Sequence, residues 1–156
     1  MKKHIRLFMV DDHPFILSAY KNTVDRFRPD EYSVTHTEAA DAREAYLAIK
    51  NNSNFDVAFL DISIPPSPEH HVYSGLDLAN ILKEKMPACK VVLLTMHTEK
   101  VRFQEVIDQV NPAGLIIKND LTFEELLNAF EQILQNNNYY SESVIKIIEE
   151  NDTTKP

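Results

Sequence analysis

The chain has 156 residues, long enough for one domain with a substantial core plus a tail. Apolar residues make up 44% and charged residues 26%, an ordinary globular balance, and no apolar stretch reaches the roughly 18 residues of a membrane span. A net charge of -8, from 24 acidic against 16 basic residues with no dense Lys/Arg stripe, disfavours nucleic-acid binding by these residues and suits a bound cation.

Apolar runs alternate with helix-like stretches, which argues for βα repeats around a parallel sheet. The first strand is predicted over residues 5–10; the early acid Asp11 breaks the apolar segment and argues against a secretory signal. His13-Pro14 opens a helix, with proline where its missing N–H costs little, and Ile16, Tyr20, Val24 and Phe27 form its apolar stripe. Residues 32–37 read as a second strand near a sheet edge. Asp41 caps a helix with Ala42, Ala45, Tyr46 and Ile49 facing inward.

A third strand over residues 56–60 is followed by a long loop, 62–74, containing Pro65, Pro66, Pro68 and His70-His71. That loop reads as a lid or as a surface insertion, and its adjacent histidines as metal ligands or as solvated side chains. Ser74 or Gly75 starts the next helix, with Leu78, Ala79 and Leu82 inward. The fourth strand is predicted over 90–94, its helix over 98–109, and the fifth strand over 115–117. Thr122 and Glu125 have capping-box spacing ahead of an amphipathic helix carrying Leu126, Leu127, Phe130, Ile133 and Leu134. After Asn136-Asn137-Asn138, residues 141–150 read as a short helix and 151–156 as a disordered polar end. Cys89 is the single cysteine, which rules out an internal disulfide, suits packing, and fits a reducing, cytoplasmic setting.

Four of the strand-like runs end on reactive side chains: Asp11-Asp12, Asp61, Thr95 and Lys118. In an open parallel sheet these ends share one edge, where such folds bind ligands. Three carboxylates crowded there repel one another unless protonated or metal-filled, and hard oxygen ligands suit Mg²⁺. Asp61, alone at the end of the most apolar run, is the natural nucleophile toward phosphorus, with Lys118 and Thr95 placed to bind the phosphoryl oxygens. The competing role for Asp12 is capping the helix at Pro14. With only two glycines, the chain has neither a dinucleotide fingerprint nor a P-loop.

Over residues 3–135 this pattern resembles the receiver domain of two-component response regulators. The resemblance implies a flavodoxin-like doubly wound (βα)5 sheet of strand order 2-1-3-4-5, with helices on both faces. It implies Asp61 as phosphoacceptor and Thr95 as switch hydroxyl. It places Lys118 on the phosphate and Mg²⁺ on Asp11, Asp12, Asp61 and the Ser63 backbone carbonyl. Ile64-Pro65 falls on the family's hydrophobic-proline pair. A sensor histidine kinase is the implied phosphodonor, and homodimerisation on phosphorylation an implied response.

The chain departs from the family pattern in the loop between Pro65 and Gly75, which is longer than the family's, and at three single residues. Leu115 replaces a common aromatic, Met96 a small residue, and Asn119 a proline that usually follows the lysine through a cis bond. A cis bond to a non-proline costs about 2.5–4 kcal/mol, so the bond at Asn119 is expected to be trans or strained. His97, two residues past Thr95, is placed either to influence loss of the phosphate or simply as a loop histidine.

Residues 136–144 resemble the linker ahead of the helix-turn-helix domain in LuxR/NarL-like regulators. The expected division is a receiver over 1–137 and a tail or linker over 138–156, leading to a DNA-binding domain that this chain lacks. Two alternatives use the same residues: an aspartate-nucleophile phosphatase of the haloacid dehalogenase type, or a degenerate receiver serving only as an interaction module. The phosphatase normally has a second aspartate two positions past its nucleophile, where Ser63 stands.

Overall fold

The predicted strands all enter one sheet. The computed structural model describes residues 1–52, 54–96 and 102–154. The strands are β1 (Lys3–Val10), β2 (Tyr32–Ala39), β3 (Val57–Asp61), β4 (Lys90–Thr95) and β5 (Gly114–Ile117), joined by β6 (Tyr139–Tyr140). All pairings are parallel, in the order β2-β1-β3-β4-β5-β6. The order 2-1-3-4-5 holds, with a sixth strand added beyond β5. Two tyrosines carry no periodic signal, so β6 was not legible in the sequence.

The helices are α1 (Pro14–Val24), α2 (Ala42–Asn51), α3 (Gly75–Lys85), α4 (Phe103–Val110), α5 (Phe123–Leu134) and α6 (Glu142–Thr154). Polar side chains close their first turns. Asp41 accepts from Glu44 N at 2.8 Å, Ser74 from Leu76 N at 3.1 Å, and Thr122 from Glu125 N at 3.1 Å. The Glu125 carboxylate does not follow the capping-box expectation of turning back to Thr122; it accepts from the Tyr139 hydroxyl at 2.5 Å. In α1 the buried stripe falls on Leu17 and Val24, with Phe27 just past the helix end, while Ile16 and Tyr20 are half-buried. The predicted start of the fourth helix at Thr98, and His97 with it, lie outside the described residues.

Because strand side chains alternate faces, the sheet divides the core in two. Phe8, Val10, Ala58, Leu60 and Leu93 pack under α2 and α3, where Phe8 stacks on Phe55 with ring centroids 4.5 Å apart. Leu7, Met9, Val57, Phe59 and Ile116 pack under α1 and α5, where Phe27 meets Phe130 edge-on at 5.1 Å. Burying each large side chain stabilises by about 1.5–3 kcal/mol. The core thereby fixes the strand register that lines up the strand ends.

The loop over 62–74 packs against α2. Ser67 and Val72 form an antiparallel bridge, Ala42 N donates to Pro65 O at 3.0 Å, and His70 stacks on Tyr46 with centroids 4.2 Å apart. At the other end of the chain, Asn136 turns left-handed at φ 65 and the backbone returns to lie along β5. The predicted helix at 141–150 forms and continues through Thr154, so residues 151–154 are helical where disorder was expected. Val144 is buried in the core and Ile147 and Ile148 pack half-buried against it, and this apolar face carries the helix onward.

Candidate functional site

The parallel register brings the strand ends level. Val10 lies beside Leu60, Asp61 beside Leu94, and Thr95 beside Ile117. Asp11 therefore emerges just past β1, Asp61 closes β3, Thr95 closes β4, and Lys118 begins a 3-10 turn (Lys118–Asp120) directly after β5. Asp11, Asp61, Thr95 and Lys118 are buried, and the Asp12 side chain is 36% exposed.

Lys118 ties the site together. Its Nζ donates to Asp11 Oδ2 at 2.5 Å and to Asp61 Oδ2 at 2.9 Å. Asp61 Oδ1 also accepts from Ser63 N at 3.0 Å. Burial pushes the Asp61 carboxyl above its ordinary value, with Lys118 only partly opposing that rise. Burial pulls the Lys118 ammonium down, but its bonds to Asp11 and Asp61 outweigh this and hold it above the usual lysine value. Three carboxylates against one ammonium leave the cup net negative.

His13 was not singled out as a site residue by sequence reasoning. Its backbone N donates to Asp11 Oδ1 at 3.0 Å, and its ring Nδ1 lies 2.9 Å from Asp11 Oδ1 and 3.0 Å from Asp12 Oδ1. The hydrogen bond to Asp11 and the charge of Asp12 raise its imidazole above the ordinary histidine value. The only legible signal was adjacency to the acid pair. His13, not Asp12, is the N-cap of α1, and it makes no side-chain capping bond, so the competing role for Asp12 is not realised.

Gly75 is the other residue whose role only packing reveals. A Cβ built there would stand 2.2 Å from the Asp61 carbonyl oxygen and 3.0 Å from Ile62 Cα. Only glycine lets the start of α3 come this close to the backbone that carries Asp61. Among the departures from the family pattern, Leu115 is fully buried beside Tyr140 of β6, and Met96 is exposed. The described residues contain no cis peptide bond, so Asn119 follows Lys118 through a trans bond.

One ligand atom from each of Asp11, Asp12, His13 and Asp61 falls within 4.8 Å of the others. Three of the four are carboxylate oxygens, so the donor set fits a small hard cation such as Mg²⁺. His70 and His71 are not in this group. No helix among the described residues is long and apolar enough to cross a membrane.

A flavodoxin-like sheet with an acid-and-lysine cup at the carboxyl ends of its strands defines an α/β domain built to hold charged ligands there. Residues 7–131 match the response regulator receiver domain, and the chain belongs to that family. It is 27% identical over 140 residues to the transcriptional regulatory protein MctR of Rhizobium johnstonii, covering 90% of this chain and 60% of that protein. It is also 27% identical over 135 residues to the oxygen regulatory protein NreC of Staphylococcus haemolyticus, covering 86% of this chain and 57% of that one. The chain thus spans about three-fifths of the length of these curated relatives. The isolated REC domain of RcsB from Salmonella enterica serovar Typhimurium, solved with the phosphomimetic BeF3-, shares the fold. Its TM-score is 0.76 at 18% identity, over 92% of this chain and 98% of that one. The chain is the receiver domain of a two-component response regulator related to transcriptional regulators. Neither the phosphatase nor the degenerate module is favoured by these matches.

Proposed function

We propose that Asp61 accepts a phosphoryl group from the phosphohistidine of a sensor histidine kinase. The supporting observation is the pair of bonds from Lys118 Nζ to Asp11 and Asp61, with Asp12 alongside, in a member of the receiver family. Asp11, Asp12, Asp61 and the Ser63 carbonyl would hold Mg²⁺. When bound, the cation offsets the repulsion between the carboxylates and an incoming phosphoryl group. A carboxylate oxygen of Asp61 attacks phosphorus as the donor's P–N bond breaks, and the electron pair of that bond leaves on the donor imidazole. Lys118 shifts its ammonium from the carboxylates to the new phosphoryl oxygens, and Thr95 donates its hydroxyl to one of them. Ser63 N steadies the Asp61 carboxylate through its 3.0 Å bond.

The chemistry ends on the chain's own acceptor, so the domain signals and does not turn over a substrate. Its setting is the cytoplasm, where the kinase domains of such systems present phosphohistidine. Residues 1–137 carry the receiver's five βα units, and 138–156, which pack onto β5 through β6 and α6, lead toward a DNA-binding domain of a transcriptional regulator; the span of about three-fifths of MctR and NreC supports a further domain. These 156 residues carry a charge of -8 and leave nucleic-acid binding to that further domain. Phosphorylation would also favour a homodimer.

The test is intact-mass measurement after treatment with acetyl phosphate and Mg²⁺. The native chain should gain one phosphoryl group and Asp61→Asn none. Equal labelling of both, or none of either, would overturn the assignment.

A further inference from the structure

The free edge of β5 is held by the segment that follows α5. Tyr139 and Tyr140 pair with Gly114 and Leu115. Ser141 N donates to Leu115 O at 3.1 Å, and Ser141 Oγ accepts from Ile117 N at 3.0 Å in a buried bond. The strand then enters the turn Lys118–Asp120, closed by Leu121 N donating to Lys118 O at 3.1 Å. Asp120, at the end of that turn, accepts from Ser143 N at 2.9 Å on one oxygen and from Ser143 Oγ at 2.6 Å on the other. It thereby caps the first turn of α6 and places a carboxylate at the positive end of that helix. Asn119 alone separates this cap from the lysine of the strand-end site.

The rest of α6 is held by a few apolar side chains. Val144 is fully buried and Ile147 and Ile148 pack half-buried against the core, but Ile145 is 43% exposed, and a groove lined by Gln104, Ile107, Tyr140 and Ile148 runs between α6 and α4. A helix held by so few buried side chains opens at a lower free energy than the central strands.

We infer that the Asp120–Ser143 clasp couples the strand-end site to α6, so that a phosphoryl group on Asp61 opens the clasp and releases the helix. The inference rests on Asp61 being the phosphoacceptor. In the present arrangement Lys118 is satisfied by Asp11 and Asp61 while both Asp120 oxygens are engaged by Ser143. Moving Lys118 toward a phosphoryl group displaces a closed 3-10 turn, and the displacement reaches Asp120 two residues on. Hydrogen bonds weaken steeply as distance and angle depart from their optimum. The clasp starts fully engaged, so the shift opens it. Linkage is reciprocal: a chain without the clasp binds a phosphoryl mimic more tightly.

The test uses the full chain, with beryllofluoride and Mg²⁺ as the mimic. Amide hydrogen exchange over residues 142–148 should accelerate at least about fivefold when the mimic binds, and Ser143→Ala should bind it at least about fivefold more tightly. Ser143→Thr, which keeps the hydroxyl, should return both values toward native and guards against misfolding of the alanine variant. Arg43→Ala, which removes an exposed pair with Glu69 beside α2 and away from the clasp, should change neither. Labelled Asp61 with unchanged exchange in α6, or equal affinity in Ser143→Ala, would overturn the clasp alone. Failure of acetyl phosphate to label native Asp61 would overturn the phosphoacceptor assignment and the clasp with it.

Discussion

Gly75→Ala should damage both stability and phosphoryl transfer, although the added group is a single methyl at the buried start of α3. The new Cβ would meet the Asp61 carbonyl oxygen at 2.2 Å, and that distance must open to at least 3.0 Å, a shift of about 0.8 Å. The opposing atom is backbone of a fully buried central strand, so no flexible side chain can move aside. The same shift strains the bond from Gly75 N to Ile62 O, now 2.9 Å. Overpacking of this kind costs about 1–3 kcal/mol and a lost hydrogen bond about 1 kcal/mol more, so a loss of about 2–4 kcal/mol is expected. For a domain of this size that lowers Tm by roughly 4–16 °C. Displacing a reacting carboxylate by about 1 Å can slow its reaction about 100-fold. Thermal unfolding and a time course of acetyl phosphate labelling by intact mass read the two effects separately. Gly114→Ala is the milder contrast, because its Cβ would meet nothing nearer than the Val92 side chain at 3.0 Å and the Tyr139 carbonyl at 3.2 Å, and it should lose about 1 kcal/mol. A Gly75→Ala chain that melts with the native protein and labels at the native rate would refute the close-approach argument.

Lys118→Met leaves Asp11 and Asp61 buried without their cation and should destabilise the metal-free protein by about 3–5 kcal/mol in urea unfolding. Millimolar Mg²⁺ should restore part of that loss, since a ligand bound only by the folded state stabilises it. A third prediction concerns acid. Burial works to raise Asp120, but hydrogen bonds from Ser141 and Ser143 hold it below its ordinary 3.8. A carboxyl depressed on folding contributes stability that is complete above its unfolded value and disappears as pH falls through its lower folded value. Protection of the α6 amides should therefore fall below about pH 4 in the native chain. In Asp120→Asn that acid-dependent loss should vanish, and an identical pH profile for both chains would sink the assignment.

The central strands were legible because each carries a continuous apolar run, as strands buried on both faces require; β3, Val57–Asp61, is the clearest case, whereas β2, Tyr32–Ala39, is a mixed, half-buried edge strand. The site was legible for a related reason. A strand buried on both faces can carry polar residues only where it ends, so Asp11, Asp61, Thr95 and Lys118 stand out against their neighbours. The caps at Asp41, Ser74 and Thr122 follow from local chemistry and were visible too. His13 was less visible because a histidine before a proline has many ordinary uses, and only distances of 2.9 and 3.0 Å to two carboxylates single it out.

The sequence by itself therefore determined what periodicity and local hydrogen bonding encode: parallel βα repeats, their caps, and the polar residues at the strand ends. Tertiary structure alone decided which distant groups meet. It joined Lys118 to Asp11 across 107 positions of chain. It demanded glycine at position 75 and drew Tyr139–Tyr140 onto the open edge of β5. The physical reason is the range of the forces involved. Caps and amphipathic stripes are satisfied within a few residues, whereas an unpaired strand edge, a buried charge and a backbone crossing find their partners only after the chain has packed.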